Sequence, residues 1–185
     1  MRDLSLHLLD LTQNSISAGA KLITIRITID PDGWLTMVLG DDGKGMSPEL
    51  LKRVTSPFAT TRTTRKVGLG IPMMQENAEK ADGRLTLSSE EGKGTELTVT
   101  MNTRHIDCLP LGDLSGTLLS LMLTNPLAPE FLFEGKTDKG ECSFDTREVR
   151  NVIGSEIPLN EPSVAQWLKE ALDEEINPIF GGVTI

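Results

Sequence analysis

Residues 21–46 read KLITIRITIDPDGWLTMVLGDDGKGM. Leu22 misses a beat, and Ile23, Ile25, Ile27 and Ile29 then alternate with Thr24, Arg26 and Thr28, the period-2 pattern of a strand with one buried face. Pro31-Asp32-Gly33 supplies a turn and WLTMVLGD returns as a second strand, so the stretch predicts a β-hairpin. Asp41 and Asp42 end the second strand, and Gly43-Lys44-Gly45-Met46 follow at once. A carboxylate placed there, with two glycines after it, can lie at the floor of a pocket and accept a hydrogen bond from an exocyclic amine. An ordinary glycine-rich turn has the same residues.

Upstream, Leu4, Leu8 and Leu11 recur at helical spacing and predict an amphipathic helix over residues 3–18, stopped by Gly19. Asp10 and Asn14 are one turn apart on one face, and His7 extends that stripe. A carboxylate and a carboxamide both offer hard oxygen ligands to a hydrated Mg²⁺, although a merely solvated helix face carries the same pattern.

Downstream, PELLKRV predicts a short helix capped by Ser47, with Pro48 at its first position. Residues 44–66 hold six basic side chains against one acidic one, Glu49. Val67-Gly68-Leu69-Gly70-Ile71-Pro72 then runs into a helix that ends near Asp82-Gly83. Glycines before a helix N-terminus let N–H groups point at an anion, helped by the helix dipole, and Arg62, Arg65 and Lys66 stand just ahead. RLTLSSE and TELTVTMN form a second strand pair across Glu91-Gly92-Lys93-Gly94, with Thr95 next.

In order and spacing these segments resemble the ATP-binding domain shared by histidine kinases, type II topoisomerases, the ninety-kilodalton heat-shock chaperones and mismatch-repair ATPases. LLDLTQNSISAGA is similar to the family's N box, with Asn14 at the Mg²⁺-coordinating asparagine. DDGKGM is similar to the first glycine box, with Asp41 at the adenine-binding aspartate, Gly43 and Gly45 at its glycines and Met46 beside them. SPFATT, carrying Phe58, resembles the phenylalanine box of histidine kinases. VGLGI, with Gly68, Leu69 and Gly70, resembles the second glycine box, and EGKGTELTV, with Gly94 and Thr95, the third.

The resemblance covers residues 3–101 or so. It implies an α/β two-layer sandwich of the Bergerat type, helices over a mixed sheet, with ATP between the layers and Mg²⁺ beside it. Arg65 or Lys66 would neutralise the phosphates. Family members that hydrolyse ATP alone usually have glutamate four residues before the N-box asparagine; here Asp10 stands there, one methylene shorter.

The remaining residues differ in composition. Residues 1–104 carry 13 Lys/Arg and 13 Asp/Glu, whereas residues 105–185 carry 5 and 14, so the net charge of −9 sits entirely in the second part. The expected organisation is an ATP-binding domain over 1–104 and a small acidic α+β extension over 105–185. In the extension GTLLSLMLT reads as helix, EFLFEGKTDKGECSFD as a hairpin, and REVRNVIG and SVAQWLKEALDEEI as two closing helices. Trp167, Leu168 and Leu172 are expected in its core. Such acidity repels nucleic acid and anionic membrane. No apolar run approaches the roughly 18 residues of a membrane span and no signal-peptide layout begins the chain, so the expected location is cytoplasmic. Cys108 and Cys142 lack the spacing of a metal or redox motif.

Neither His7 nor His105 lies in the setting of a phosphoaccepting histidine. The expectation is therefore a kinase that acts on a separate protein, as anti-sigma-factor kinases do, with Asp10 orienting or deprotonating the acceptor hydroxyl. The alternative is an ATPase or ATP-gated module, in which nucleotide orders a lid and the acidic extension or a homodimer reports the change. The chain also resembles small ATP-binding proteins encoded beside iron-hydrogenase genes in anaerobic bacteria, a likeness that leaves the chemistry open.

Overall fold

A computed structural model describes residues 3–55 and 69–181. In chain order the elements are α1 (Leu4–Ser17), β1 (Leu22–Ile29), β2 (Trp34–Asp41), α2 (Pro48–Thr55), α3 (Gly70–Lys80), β3 (Arg84–Glu90), β4 (Gly94–Asn102), α4 (Leu114–Thr124), β5 (Glu130–Thr137), β6 (Gly140–Asp145), α5 (Thr146–Ile153) and α6 (Pro162–Phe180). The strands make one sheet in the order β3-β4-β2-β1-β5-β6. All neighbours run antiparallel except β1 and β5, which run parallel, so the sheet is mixed.

The alternation in β1 decides which face is covered. Ile23, Ile25 and Ile27 are buried, and their partners across the ladders are buried too: Leu39 and Met37 on β2, Phe131 and Phe133 on β5. Each such side chain contributes about 1.5–3 kcal/mol by leaving water. The helices lie over this face. The other face presents Thr24, Arg26, Thr36, Thr86 and Thr98, all at least partly exposed, and no described helix covers it.

Leu4, Leu8 and Leu11 of α1 point into the core, and the helix stops at Gly19, whose φ of +75° favours glycine. Asp3 caps α1 by accepting the Leu6 N–H. Two more donors of its first turn are met from far along the chain: Leu4 N–H donates to the Pro110 carbonyl and Ser5 N–H to that of Leu111, both at 2.9 Å. Residues 105–181 thus hold the helix that carries Asp10 and Asn14, and they add β5 and β6 to the sheet.

Over β5 and β6, α6 buries Val164, Leu168, Leu172, Ile176 and Ile179 at helical spacing, and Phe180 packs on Phe133 with ring centroids 6.2 Å apart. Trp167, expected in this core, is 50% exposed. One residue along a helix is a turn of about 100°, and Leu168 takes the inward position. No described helix is long and apolar enough to cross a membrane.

His7 is fully buried, with Nε2 3.0 Å from the Asn77 amide on α3 and Nδ1 without a hydrogen-bond partner among the described residues. Burial above all pushes its pKa below 6.5, although Asp10 and Asp3 pull the other way. A lowered folded-state value means that the unfolded chain takes up the proton first. The stability from neutral His7 is complete above pH 6.5 and is lost as the pH falls through that value toward the folded one. Thermal melts from pH 7.5 down to 5.5, compared with those of His7→Gln, should show a steeper loss in the parent; parallel curves would remove His7 as the cause.

Candidate functional site

Asp41 ends β2 with both carboxylate oxygens engaged. Its Oδ2 accepts the Ser15 hydroxyl at 2.6 Å, and its Oδ1 accepts the Gly43 N–H at 2.9 Å. Asp42 has a different task. Its carboxylate accepts the N–H groups of Lys21 and Leu22 at the start of β1, and the Leu22 bond above all holds it below the usual carboxylate range. Of the two adjacent acids, Asp41 is the one that lines the cavity under α1.

The glycines after Asp41 allow three segments to meet at the strand's end. Gly45 has φ +63°, and a Cβ there would fall 2.0 Å from the Glu90 carbonyl oxygen. Gly94 has φ +105°, and its Cβ would fall 1.9 Å from the Asp41 carbonyl oxygen. Backbone bonds complete the junction: Lys44 N–H to the Ala18 carbonyl at 3.0 Å, and Gly92 N–H to the Lys44 carbonyl at 2.7 Å. The Gly43–Met46 loop is therefore wedged between the end of α1 and the β3–β4 turn.

Under α1 lies a cavity of about 220 Å³. Leu39, Leu97 and Leu87 floor it, Asp41 and Thr95 supply polar groups, and Met46, Ile71 and Asn14 stand around it. A flat heterocycle fits such a place, apolar on its faces and polar at one edge. Asn14 is exposed, as is Asp10 one turn earlier. Asp10 sits against the first residue of α3, because a Cβ on Gly70 would fall 2.1 Å from its Oδ2. Leu69 occupies the cap position of α3, 62% exposed, and makes no side-chain cap bond there. The α1 stripe thus faces a helix N-terminus, where anions are favoured.

Asp10, Asn14, Asp41, Gly43, Gly45, Met46, Leu69, Gly70, Gly94 and Thr95 gather around this one cavity and its mouth. Phe58, Arg62, Arg65, Lys66 and Gly68 lie outside the described residues. His7, read as part of the α1 stripe, turns inward to Asn77 instead. Sequence reasoning missed two serines. Ser15 holds Asp41, and Ser89 on β3 accepts the Met46 N–H and meets Thr95 Oγ1, each at 2.9 Å. The available signal for Ser89 was register: across the β3–β4 turn it pairs with Thr95, as Thr95 pairs with Asp41.

A larger concavity of about 460 Å³ occupies the opposite, open face of the sheet beside Thr24, Arg26 and Glu96. Its floor is the outward side of the strands, open to solvent, with Arg26 already paired to Glu134 at 2.6 Å and only Leu22 and Val38 as larger apolar side chains. The cavity under α1 is the better candidate despite its smaller size.

A pocket between a helix layer and a mixed sheet, with one held carboxylate, close-packed glycines and a facing helix N-terminus, defines a nucleotide-binding domain of the α/β sandwich class. Residues 2–105, just over half the chain, match the family described as histidine kinase-, DNA gyrase B-, and HSP90-like ATPase; the chain belongs to that family, which binds ATP. Sporulation kinase E of Bacillus subtilis (strain 168) is 38% identical over 87 residues, which are 47% of this chain and 11% of that protein. Sensor histidine kinase ZraS of Salmonella typhimurium (strain LT2) is 32% identical over 94 residues, 50% of this chain and 20% of that one. The match therefore takes in a tenth to a fifth of these relatives' length. A crystal structure of the N-terminal domain of a DNA repair protein superposes with a TM-score of 0.51 at 16% identity, over 78% of this chain and 52% of that one, a likeness of fold.

Proposed function

We propose that this chain binds ATP with Mg²⁺ in the cavity under α1 and passes the γ-phosphoryl group to a separate protein. The observation that carries the reading is Asp41: an acceptor-only group, fixed at both oxygens, at the polar edge of an apolar slot. That arrangement suits the exocyclic amine of adenine. The phosphates would then extend toward Asn14 and the first turn of α3. Asn14 offers the oxygen that would hold Mg²⁺, whose charge would offset that of the phosphates.

The two histidines are poorly placed as acceptors. His7 is sealed in the core, and His105 Nδ1 accepts the Asp107 N–H in the turn after β4. The acceptor is sought outside the described residues, in a protein whose charge tolerates the net −9 of residues 105–185. The same charge disfavours nucleic acid and anionic membrane as partners.

A second reading, hydrolysis, is favoured by the position of Asp10 against the α3 N-terminus, where a carboxylate can orient water as well as an acceptor hydroxyl. One experiment separates the two. The protein is incubated with Mg²⁺ and γ-labelled ATP, and free phosphate, protein-bound label and intact ATP are measured. Transfer to a separate protein predicts retained, intact ATP until an acceptor is supplied. Free phosphate that falls roughly 100-fold in Asp10→Asn, with ATP affinity within about threefold, would make the chain an ATPase. No retention of ATP at all would sink both readings.

A further inference from the structure

Ser89 lies behind the cavity wall, between the Gly43–Met46 loop and Thr95. Its oxygen accepts the Met46 N–H at 2.9 Å; within the same distance lie the Gly94 carbonyl oxygen and Thr95 Oγ1. A hydroxyl has one proton and two lone pairs. The Gly94 carbonyl can only accept, so it takes the Ser89 proton, while the second lone pair of Ser89 is left for the Thr95 hydroxyl. Thr95 then donates backward, away from the cavity, and turns its own lone pairs toward the space beside Asp41. Asp41 is an acceptor already, since Ser15 and Gly43 both donate to it.

We infer that Ser89 is a positioning residue for base selection: by taking the Thr95 proton it makes the polar edge of the cavity acceptor-only, and so favours a purine bearing a 6-amino group over one bearing a 6-oxo group. The inference rests on the proposed nucleotide site. A 6-amino group brings two N–H donors to the two acceptors. A 6-oxo group brings an oxygen against a carboxylate and a hydroxyl that cannot turn its proton to meet it. Without Ser89, Thr95 is free to rotate and donate into the cavity, and part of that penalty disappears.

The test is calorimetric titration of the whole chain with ATP and with inosine triphosphate, whose purines differ at position 6 (amino against oxo) and in the hydrogen that the oxo form carries on N1. In the parent, ATP should bind the more tightly. Ser89→Ala should narrow the ratio of the two affinities by roughly tenfold, the size of one hydrogen bond, partly through tighter binding of inosine triphosphate. Thr95→Val should narrow it similarly, and the double variant should add nothing further, because both changes remove the same oriented hydroxyl. Ser89→Thr keeps a hydroxyl and should restore the ratio. Equal weakening of both nucleotides in Ser89→Ala would mean that Ser89 only braces the loop, and would overturn the inference. A parent that binds both equally would overturn it too while leaving the nucleotide site standing; a parent that binds neither would remove the site itself.

Discussion

Asp41→Asn should lower the affinity for ATP by about 10- to 100-fold and leave that for GTP within a few fold. The size is that of a hydrogen bond to a charged acceptor, roughly 1.5–3 kcal/mol. The direction follows from what already holds the side chain. The Gly43 N–H is a fixed donor and keeps an oxygen opposite it, so the amide nitrogen of the substituted side chain must take the other position, now occupied by Oδ2. There it meets the Ser15 hydroxyl, which can rotate to accept. The polar edge of the slot changes from acceptor to donor with little disturbance of the loop. A donor opposes the amine of adenine and suits the 6-oxo group of guanine. Titration of parent and variant with both nucleotides measures the change; equal losses for the two would remove Asp41 from the base-reading role.

Gly94→Ala should be strongly destabilising. Its Cβ would lie 1.9 Å from the Asp41 carbonyl oxygen, a backbone atom of the neighbouring strand, and φ is +105°, a conformation that alanine rarely adopts. Relief requires β4 to part from β2 at the strand end where Asp41 sits. A loss of about 3–5 kcal/mol is expected, which for a chain of this length lowers Tm by roughly 10–15 °C. Gly92 gives the internal comparison. It also has a positive φ, +79°, yet a Cβ there meets nothing within 4 Å, so Gly92→Ala should cost only about 1–2 kcal/mol. If the two variants melted together, close approach at Gly94 would not be the reason for its glycine.

Much of the fold was legible because its signals are local. The isoleucine alternation in β1, the Ser47-Pro48 start of α2 and the Asp82-Gly83 stop after α3 are patterns within a few residues. The helices and the hairpin of residues 114–180 were legible in the same way. What local pattern does not carry is which strand lies beside which. Nothing in EFLFEGKT says that it pairs with LITIRITI in parallel, over 100 residues away, because the alternation of a strand specifies its buried face and not its neighbour. The site divides similarly. Asp41, Gly45 and Gly94 stand out by residue type, whereas Ser15 and Ser89 are common small residues whose importance comes from a register two strands wide. His7 misled because helical spacing places residues on a stripe without saying how far around the helix the neighbouring α3 reaches.

The parallel ladder between β1 and β5 has a consequence for the growing chain. When residue 105 leaves the ribosome, α1, both early hairpins and the nucleotide slot have all been synthesised, yet β1 is still the border of an unfinished sheet. Its bare edge is eight residues long, with four isoleucines on one face, and bare apolar edges recruit other chains. The carbonyls of Pro110 and Leu111 that hold α1 have not yet been made either. Closing β1 against β5 costs the entropy of a loop of about a hundred residues, which places this step late and makes it slow. The proposed ATP slot, although made before β5, is thus among the last parts of the molecule to become rigid, and a nascent chain arrested near residue 105 would be at risk of aggregation before it could hold a nucleotide.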